Sequence, residues 1–317
     1  GGVKVRKQVD VQVWGAGMVG RLLAHRLRQE GVDVRLVDPQ PQRAASASSL
    51  PLWLPTHPEH PHRLEAALGT DRARALIDFI AWGRSFWEEE SVPLPLHWRP
   101  SGQESSEMSA SYTAAQRLGL EVSPASEGYI LAAALAPPLP EPEIHPTPVS
   151  AEVDIYCTGA TPLDPFLHDK ILPVRQLALL FAGQAPATLS YHAGLRFLPS
   201  PEGLWACGAR EATAHLEVGE TEPSPSPNVR AALERLTRQF FPELGPVIGE
   251  KCAIYADSCD GLPIVGPVPG RPRSLVCAGL GMGGYSYARP CVEILVEGLL
   301  SGNADRLPPE LSTERFR

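Results

Sequence analysis

Residues 11–20 read Val-Gln-Val-Trp-Gly-Ala-Gly-Met-Val-Gly, and Asp38 closes a second apolar run, Val34-Arg35-Leu36-Val37. Gly15, Gly17 and Gly20 have the G-x-G-x-x-G spacing, placed where a strand hands over to a helix. Gly15 allows a tight turn, Gly17 lets backbone approach a pyrophosphate, and Gly20 lets helix and strand pack closely. The following helix, Met18 to Gln29, points its N-terminal amides and positive dipole end at the phosphates. Asp38 lies 18 residues beyond Gly20, where a carboxylate accepts hydrogen bonds from an adenosine ribose. The pattern predicts a bound adenine dinucleotide and disfavours one with a 2′-phosphate. A βαβ unit whose glycines serve only the turn is the bland alternative.

The 317 residues suffice for a large core and suggest two domains. Lys plus Arg number 28 against 36 Asp plus Glu, a net charge of −8, which gives no electrostatic reason to expect nucleic acid. Many of the 34 prolines fall in 130–150 and 221–227, marking loops. Six cysteines (157, 207, 252, 259, 277 and 291) form no C-x-x-C, and are expected to be free thiols of a reducing compartment. No metal site is expected. Without an 18-residue apolar run or a leader before the first strand, the expectation is a soluble cytoplasmic protein with no membrane partner.

Further along, the apolar pattern of 62–91 predicts two helices meeting near Gly69-Thr70, and Thr113 to Leu120 a short helix. Tyr129 to Leu135 reads as another short helix. Val153–Cys157 reads as a buried strand ending in Thr158-Gly159-Ala160. Several strand-like runs within 171–215 suggest an antiparallel sheet, followed by an amphipathic helix from Asn228 to Phe241. Strand Leu275–Ala278, the loop Gly279-Leu-Gly-Met-Gly-Gly284-Tyr-Ser-Tyr287 and a helix over Ala288–Leu300 close the chain. This second strand–glycine–helix turn also offers amides to a ligand. The two turns share one site only if both ends of the chain build one domain around an inserted middle.

These pieces, in order, resemble the D-amino-acid oxidase/glycine oxidase superfamily of FAD-dependent amine oxidases. The resemblance rests on the first glycine turn with Asp38, the Ser-rich loop 44–55, Cys157-Thr-Gly-Ala160, Leu172-Pro-Val-Arg175-Gln176, Asp260-Gly-Leu-Pro-Ile-Val-Gly266 and the 279–287 loop. It implies an α/β fold: a Rossmann-like FAD-binding domain from 1–56, 124–160 and 250–317, and a mainly antiparallel substrate domain from 57–123 and 161–249. FAD, non-covalent, would be held by Gly15, Ala16, Gly17, Met18 and Gly20 at the pyrophosphate and by Asp38 and Pro39 at the ribose. Arg43, Ser46, Ser48 and Ser49 would follow it toward the flavin, joined by Thr158 and Gly159. Gly281, Met282, Gly283, Gly284, Tyr285 and Ser286 would face the flavin itself. The implied reaction oxidises the C–N bond of a small amine or amino acid: a hydride passes to the flavin, an imine forms and hydrolyses, and O2, or in a dehydrogenase another acceptor, reoxidises the flavin. A neutral amine brings its own lone pair, so no general base is nominated.

Four departures bear on the substrate and the flavin pocket. Tyr255 stands where amino-acid oxidases of this group keep a carboxylate-binding arginine, and Ser286 where the sarcosine-oxidase branch keeps a lysine. Cys252 is one residue out of register with that branch's flavin-linking cysteine, and Pro51 replaces a glycine near the end of the Ser-rich loop. Tyr255, Tyr287 and Arg289 are therefore the expected substrate-pocket residues, with Arg289 as anion anchor, Tyr191 as a further lining residue, and Arg196 or Arg210 as substitutes for the anchor. Three other readings stand beside this one. They are a flavoprotein without amine oxidation, an oxidase of a modified transfer-RNA base side chain, and an NAD-dependent dehydrogenase, which leaves 279–287 without a role.

Overall fold

In the computed structural model, residues 9–41, 51–56, 60–87, 89–99, 105–139, 141–185, 188–192, 194–213 and 226–317 are described. Elements are numbered in chain order. Strand β1 (Val9–Trp14) runs parallel to β2 (Val34–Val37) on one side and to β9 (Ala151–Tyr156) on the other. β16 (Arg271–Ala278) adds in parallel to β9, and β15 (Ile264–Val268) closes the edge antiparallel to β16. The chain's two ends thus build one five-stranded sheet, β15-β16-β9-β1-β2. On β1, Val9, Val11, Gln12 and Val13 are buried. Helix α1 (Met18–Gln29) buries Leu22, Leu23 and Leu27. It also meets the last long helix, α6 (Gly284–Ser301), where buried Glu293 accepts from Arg26 Nε at 2.7 Å.

The second sheet has eight strands in the order β14-β10-β13-β12-β11-β5-β7-β6. These are β14 (Val247–Ser258), β10 (Ile171–Ala182), β13 (Gly203–Ala212), β12 (Leu195–Ser200), β11 (Leu189–His192), β5 (Leu96–Trp98), β7 (Tyr129–Leu131) and β6 (Val122–Pro124). All neighbours pair antiparallel except β11 with β5. The period-2 alternation sorts side chains between its faces. Leu177, Leu179, Phe181, Leu195, Phe197, Leu204 and Ala206 pack with Leu233 of helix α5 (Pro227–Phe240), whereas Gln176, Ala178, Arg196, Trp205 and Cys207 line a cavity. Because β14 pairs along β10, sheet membership changes after Ser258 rather than at 250, and β6 and β7 also belong to this sheet.

A small sheet of β3 (Leu52–Trp53), β8 (Ala134–Leu135) and β4 (Val92–Pro93) joins the layers. The stretch 129–135, expected to be helical, instead supplies β7 and β8. Tyr129 and Leu131, each 1% exposed, bury on one face against β5. Helices α2 (Pro61–Leu68) and α3 (Thr70–Ser85) meet at Gly69, whose φ of +82° breaks the run where expected. Helix α4 (Ser105–Arg117) begins earlier than predicted. On α3, a Cβ at Gly83 would fall 2.2 Å from Pro290 Cδ, so glycine there lets α3 cross the proline ring within α6. All six cysteines are free, and no helix among the described residues is long and apolar enough to cross a membrane.

His192 at the end of β11 gives the fold an acid sensitivity. Its ring stacks on Phe240 at 4.6 Å, neither nitrogen has a hydrogen-bond partner among the described residues, and burial lowers its pKa to about 4. Between pH 6.5 and 4 the unfolded chain binds a proton that the folded chain refuses, so stability falls as pH falls through that window. Replacing His192 with Phe should remove roughly 2 kcal/mol of that acid-induced loss in urea titrations at pH 7 and pH 4.5. An unchanged pH dependence would show that His192 is not the group responsible.

Candidate functional site

The site starts from two contacts that only glycine permits. A Cβ on Gly15 (φ +103°) would sit 2.2 Å from the Cys157 carbonyl oxygen, and one on Gly20 would sit 1.7 Å from the Gly15 oxygen. The turn leaving β1 therefore presses against both α1 and the end of β9. Gly17 caps α1, whose first amides have no acceptors within the helix and face the crevice above the sheet. Asp38, at the end of β2, turns back to this loop: Oδ2 accepts from the Ala16 amide at 2.9 Å and Oδ1 from the Gln40 amide at 2.8 Å.

Above these turns lies a cavity of about 470 Å³. At one end it is lined by Gly15, Gly17, Met18, Asp38 and Pro39, and along its floor by Thr158 and Gly159 after β9. The second glycine turn lies on the same cavity, contributing Gly279, Leu280, Gly281, Gly284 and Tyr285. Gly279 (φ +69°) and Gly281 (φ +57°) take left-handed backbone there. A Cβ on Gly284 would come 2.8 Å from Met18 Cε, which measures how closely the two turns approach. Thr158 Oγ1 is buried in this wall and makes no hydrogen bond among the described residues. Two glycine turns, the Asp38 carboxylate on the cavity and a buried hydroxyl without a hydrogen-bond partner among the described residues fit an extended dinucleotide.

The opposite end abuts the eight-stranded sheet. Ala178 pairs with Cys207 on one side and Lys251 on the other, and Cys207 pairs with Arg196, so Lys251, Ala178, Cys207 and Arg196 form one row across four strands. Arg196 is 9% exposed, and burial lowers its pKa to about 10, which leaves it charged at neutral pH. Tyr255 is close enough to offset part of that shift electrostatically. Burial pushes the Cys207 thiol up to about 12, so it is a neutral wall atom. Lys251 lies over the Trp205 ring at 4.9 Å. Gln176 Oε1 is buried without a hydrogen-bond partner among the described residues.

Other expected site residues lie elsewhere. Arg289 is not on the cavity: its guanidinium pairs with Glu293 at 3.1 Å and covers the Phe86 ring at 5.1 Å. It thus helps neutralise the buried carboxylate that Arg26 also holds. Tyr287 is fully buried in the core, where desolvation raises its pKa strongly. Ser286 ties α6 to the segment before α2, its Oγ donating to the Leu54 carbonyl at 2.8 Å and accepting from the Leu54 amide at 3.1 Å. Gly20 lies beneath the first turn, and Gly283 caps α6. Arg210 is held by Asp257, and Tyr191 by His60. Arg43, Ser46, Ser48 and Ser49 lie outside the described residues, as does the Met282 side chain. The alternation within β10 and β12 was readable signal for Gln176 and Arg196. Which face meets the cavity was not.

Residues 143–297 match the family model described as FAD dependent oxidoreductase. No curated protein matches the sequence. Among solved structures, the chain is similar to glycine oxidase from Geobacillus kaustophilus (TM-score 0.73, 16% identity, 96% of this chain and 98% of that one). It is also similar to L-amino acid deaminase from Proteus vulgaris (TM-score 0.69, 16% identity, 100% and 96%). A third similar structure is L-alpha-glycerophosphate oxidase from Mycoplasma pneumoniae with FAD bound (TM-score 0.66, 13% identity, 92% and 94%). At these identities the shared feature is the fold, and the family match covers the segment carrying β9, the sheet strands and the second glycine turn. Residues 143–297 thus resemble FAD dependent oxidoreductases, and the whole chain shares its fold with the solved structures named above.

Proposed function

We propose that this enzyme oxidises the C–N bond of a small amino acid, with FAD held non-covalently in the cavity and Arg196 anchoring the substrate carboxylate. FAD, when bound, supplies the two-electron acceptor, with dioxygen as the final oxidant, and the chain supplies binding and orientation. Gly15, Gly17, Asp38, Thr158 and the 279–285 turn are the residues to hold it. The observation that carries the substrate assignment is a buried guanidinium on the cavity wall. Arg196 lines the cavity with little exposure, and Arg presents the planar fork that matches a carboxylate.

Gln176 Oε1 complements this anchor as an acceptor for a substrate N–H, and the Tyr255 hydroxyl flanks it. Among the described lining residues Asp38 is the single carboxylate, and two backbone amides hold it. An amine entering neutral, with its own lone pair, suits such a wall. Cys252 alternates away from Lys251 and Ala253, on the face opposite the cavity, which favours non-covalent flavin. Names among the structural relatives, glycine oxidase and L-amino acid deaminase, accord with an amino-acid substrate.

Three outcomes are expected. Acid precipitation of the yellow protein should release the flavin to the supernatant, and colour retained in the pellet would refute non-covalent binding. Thr158→Val should weaken FAD binding about 5- to 10-fold by fluorescence titration without lowering the apoprotein's melting temperature. An unaltered affinity would remove that hydroxyl from the cofactor site. In anaerobic bleaching titrations, Arg196→Met should raise half-saturation for amino acids by roughly 30- to 1000-fold, about 2–4 kcal/mol, while leaving the corresponding decarboxylated amines unaffected. Equal effects on both, or none on either, would rule out the Arg196 carboxylate anchor.

A further inference from the structure

Helices α2 and α4 begin side by side, and their starts gather three side chains that no step of the flavin chemistry uses. His60 precedes α2, His62 lies in its first turn, and Glu107 lies in the first turn of α4. One Glu107 oxygen, Oε1, lies 3.6 Å from His60 Nδ1 and 3.4 Å from His62 Nε2. One ligand atom from each of the three residues falls within 4.8 Å of the other two. In a tetrahedral zinc site with ligands at about 2.0–2.1 Å, neighbouring donor atoms stand roughly 3.3 Å apart. Two of the three donor separations already have this size.

The surroundings of His60 point the same way. Its Nδ1 is buried and makes no hydrogen bond among the described residues, while Nε2 lies 3.1 Å from the Tyr191 hydroxyl. A metal-bound imidazole has this arrangement: one nitrogen on the ion, the other tied to a polar group that fixes the ring. Trp98, with its ring centroid 4.6 Å away, further limits the ring's rotation. The competing cation is Arg63, whose Nη2 lies 2.5 Å from the same Glu107 oxygen. Its side chain is 58% exposed, so an incoming ion can displace it into water at little cost.

We propose that His60, His62 and Glu107 form a binding site for one divalent transition-metal ion of the zinc class, with a fourth position open to water. The ion would cross-link α2 and α4 and, through Tyr191, fasten both to β11. Tyr191 is the cross-strand partner of Arg196, so the site braces the strand pair that carries the proposed carboxylate anchor.

The test is a titration of the flavin-loaded, chelator-dialysed protein with Co2+ as a spectroscopic stand-in for Zn2+. One Co2+ per chain is expected, with visible d–d bands of a tetrahedral nitrogen–oxygen site and no thiolate-to-cobalt band. Loss of a direct ligand in His62→Ala or Glu107→Gln should weaken binding beyond the roughly 10- to 100-fold that an outer partner is worth, and Tyr191→Phe should fall within that range. Arg63→Ala should bind more tightly, because the competing guanidinium is gone. Absence of stoichiometric binding, thiolate bands, or unchanged affinity in the ligand variants would overturn the proposal. If the ligand variants fail to load flavin, Arg63→Ala decides: tighter binding supports the site, and unchanged or weaker binding refutes it.

Discussion

Close backbone approach at Gly15 and Gly20 is the constraint on which the rest of the molecule depends. The missing Cβ atoms would lie 2.2 Å from the Cys157 oxygen and 1.7 Å from the Gly15 oxygen, distances no side chain tolerates. With glycine at both positions, α1 settles on β1, and the end of β9 comes against the turn. The loops after β1, β9 and β16 then open on one crevice at the carboxyl ends of parallel strands, where α/β sheets bind ligands. The second glycine turn joins them because the chain's last strand and helix return to the same sheet. A ligand spanning this crevice touches both ends of the sequence at once.

The eight-stranded sheet supplies what the parallel sheet lacks. Its α5 face is an ordinary apolar core, and its other face puts a guanidinium, a carboxamide and a phenol into the same cavity. Asp257 holds Arg210 and Glu293 holds Arg289, while Arg196 and Lys251 line the cavity.

Local signals account for what the sequence disclosed. The first glycine turn, Asp38, the break at Gly69 and the second glycine turn each depend on a few adjacent residues, and each is present as expected. Where tertiary partners decide, the sequence was silent or misleading. The alanine-rich stretch 129–135 favours helix locally, yet Tyr129 and Leu131 gain more by burying against β5. Arg289 follows the glycine loop by two residues, but helical geometry places Glu293 one turn on, and the pair turns inward together. Gln176 and Arg196 reach the cavity through registers spanning β10, β13 and β12, and no residue near either one announces that pairing.

The proposed site has one FAD engaging both glycine turns. Hydrogen exchange followed by mass spectrometry, comparing the apoprotein with the FAD-loaded protein, tests this directly. Peptides covering 14–20, 157–160 and 278–285 should slow together on loading, while the α5 peptides change little. Slowing confined to 14–20, with 278–285 unaffected, would contradict a shared cofactor site.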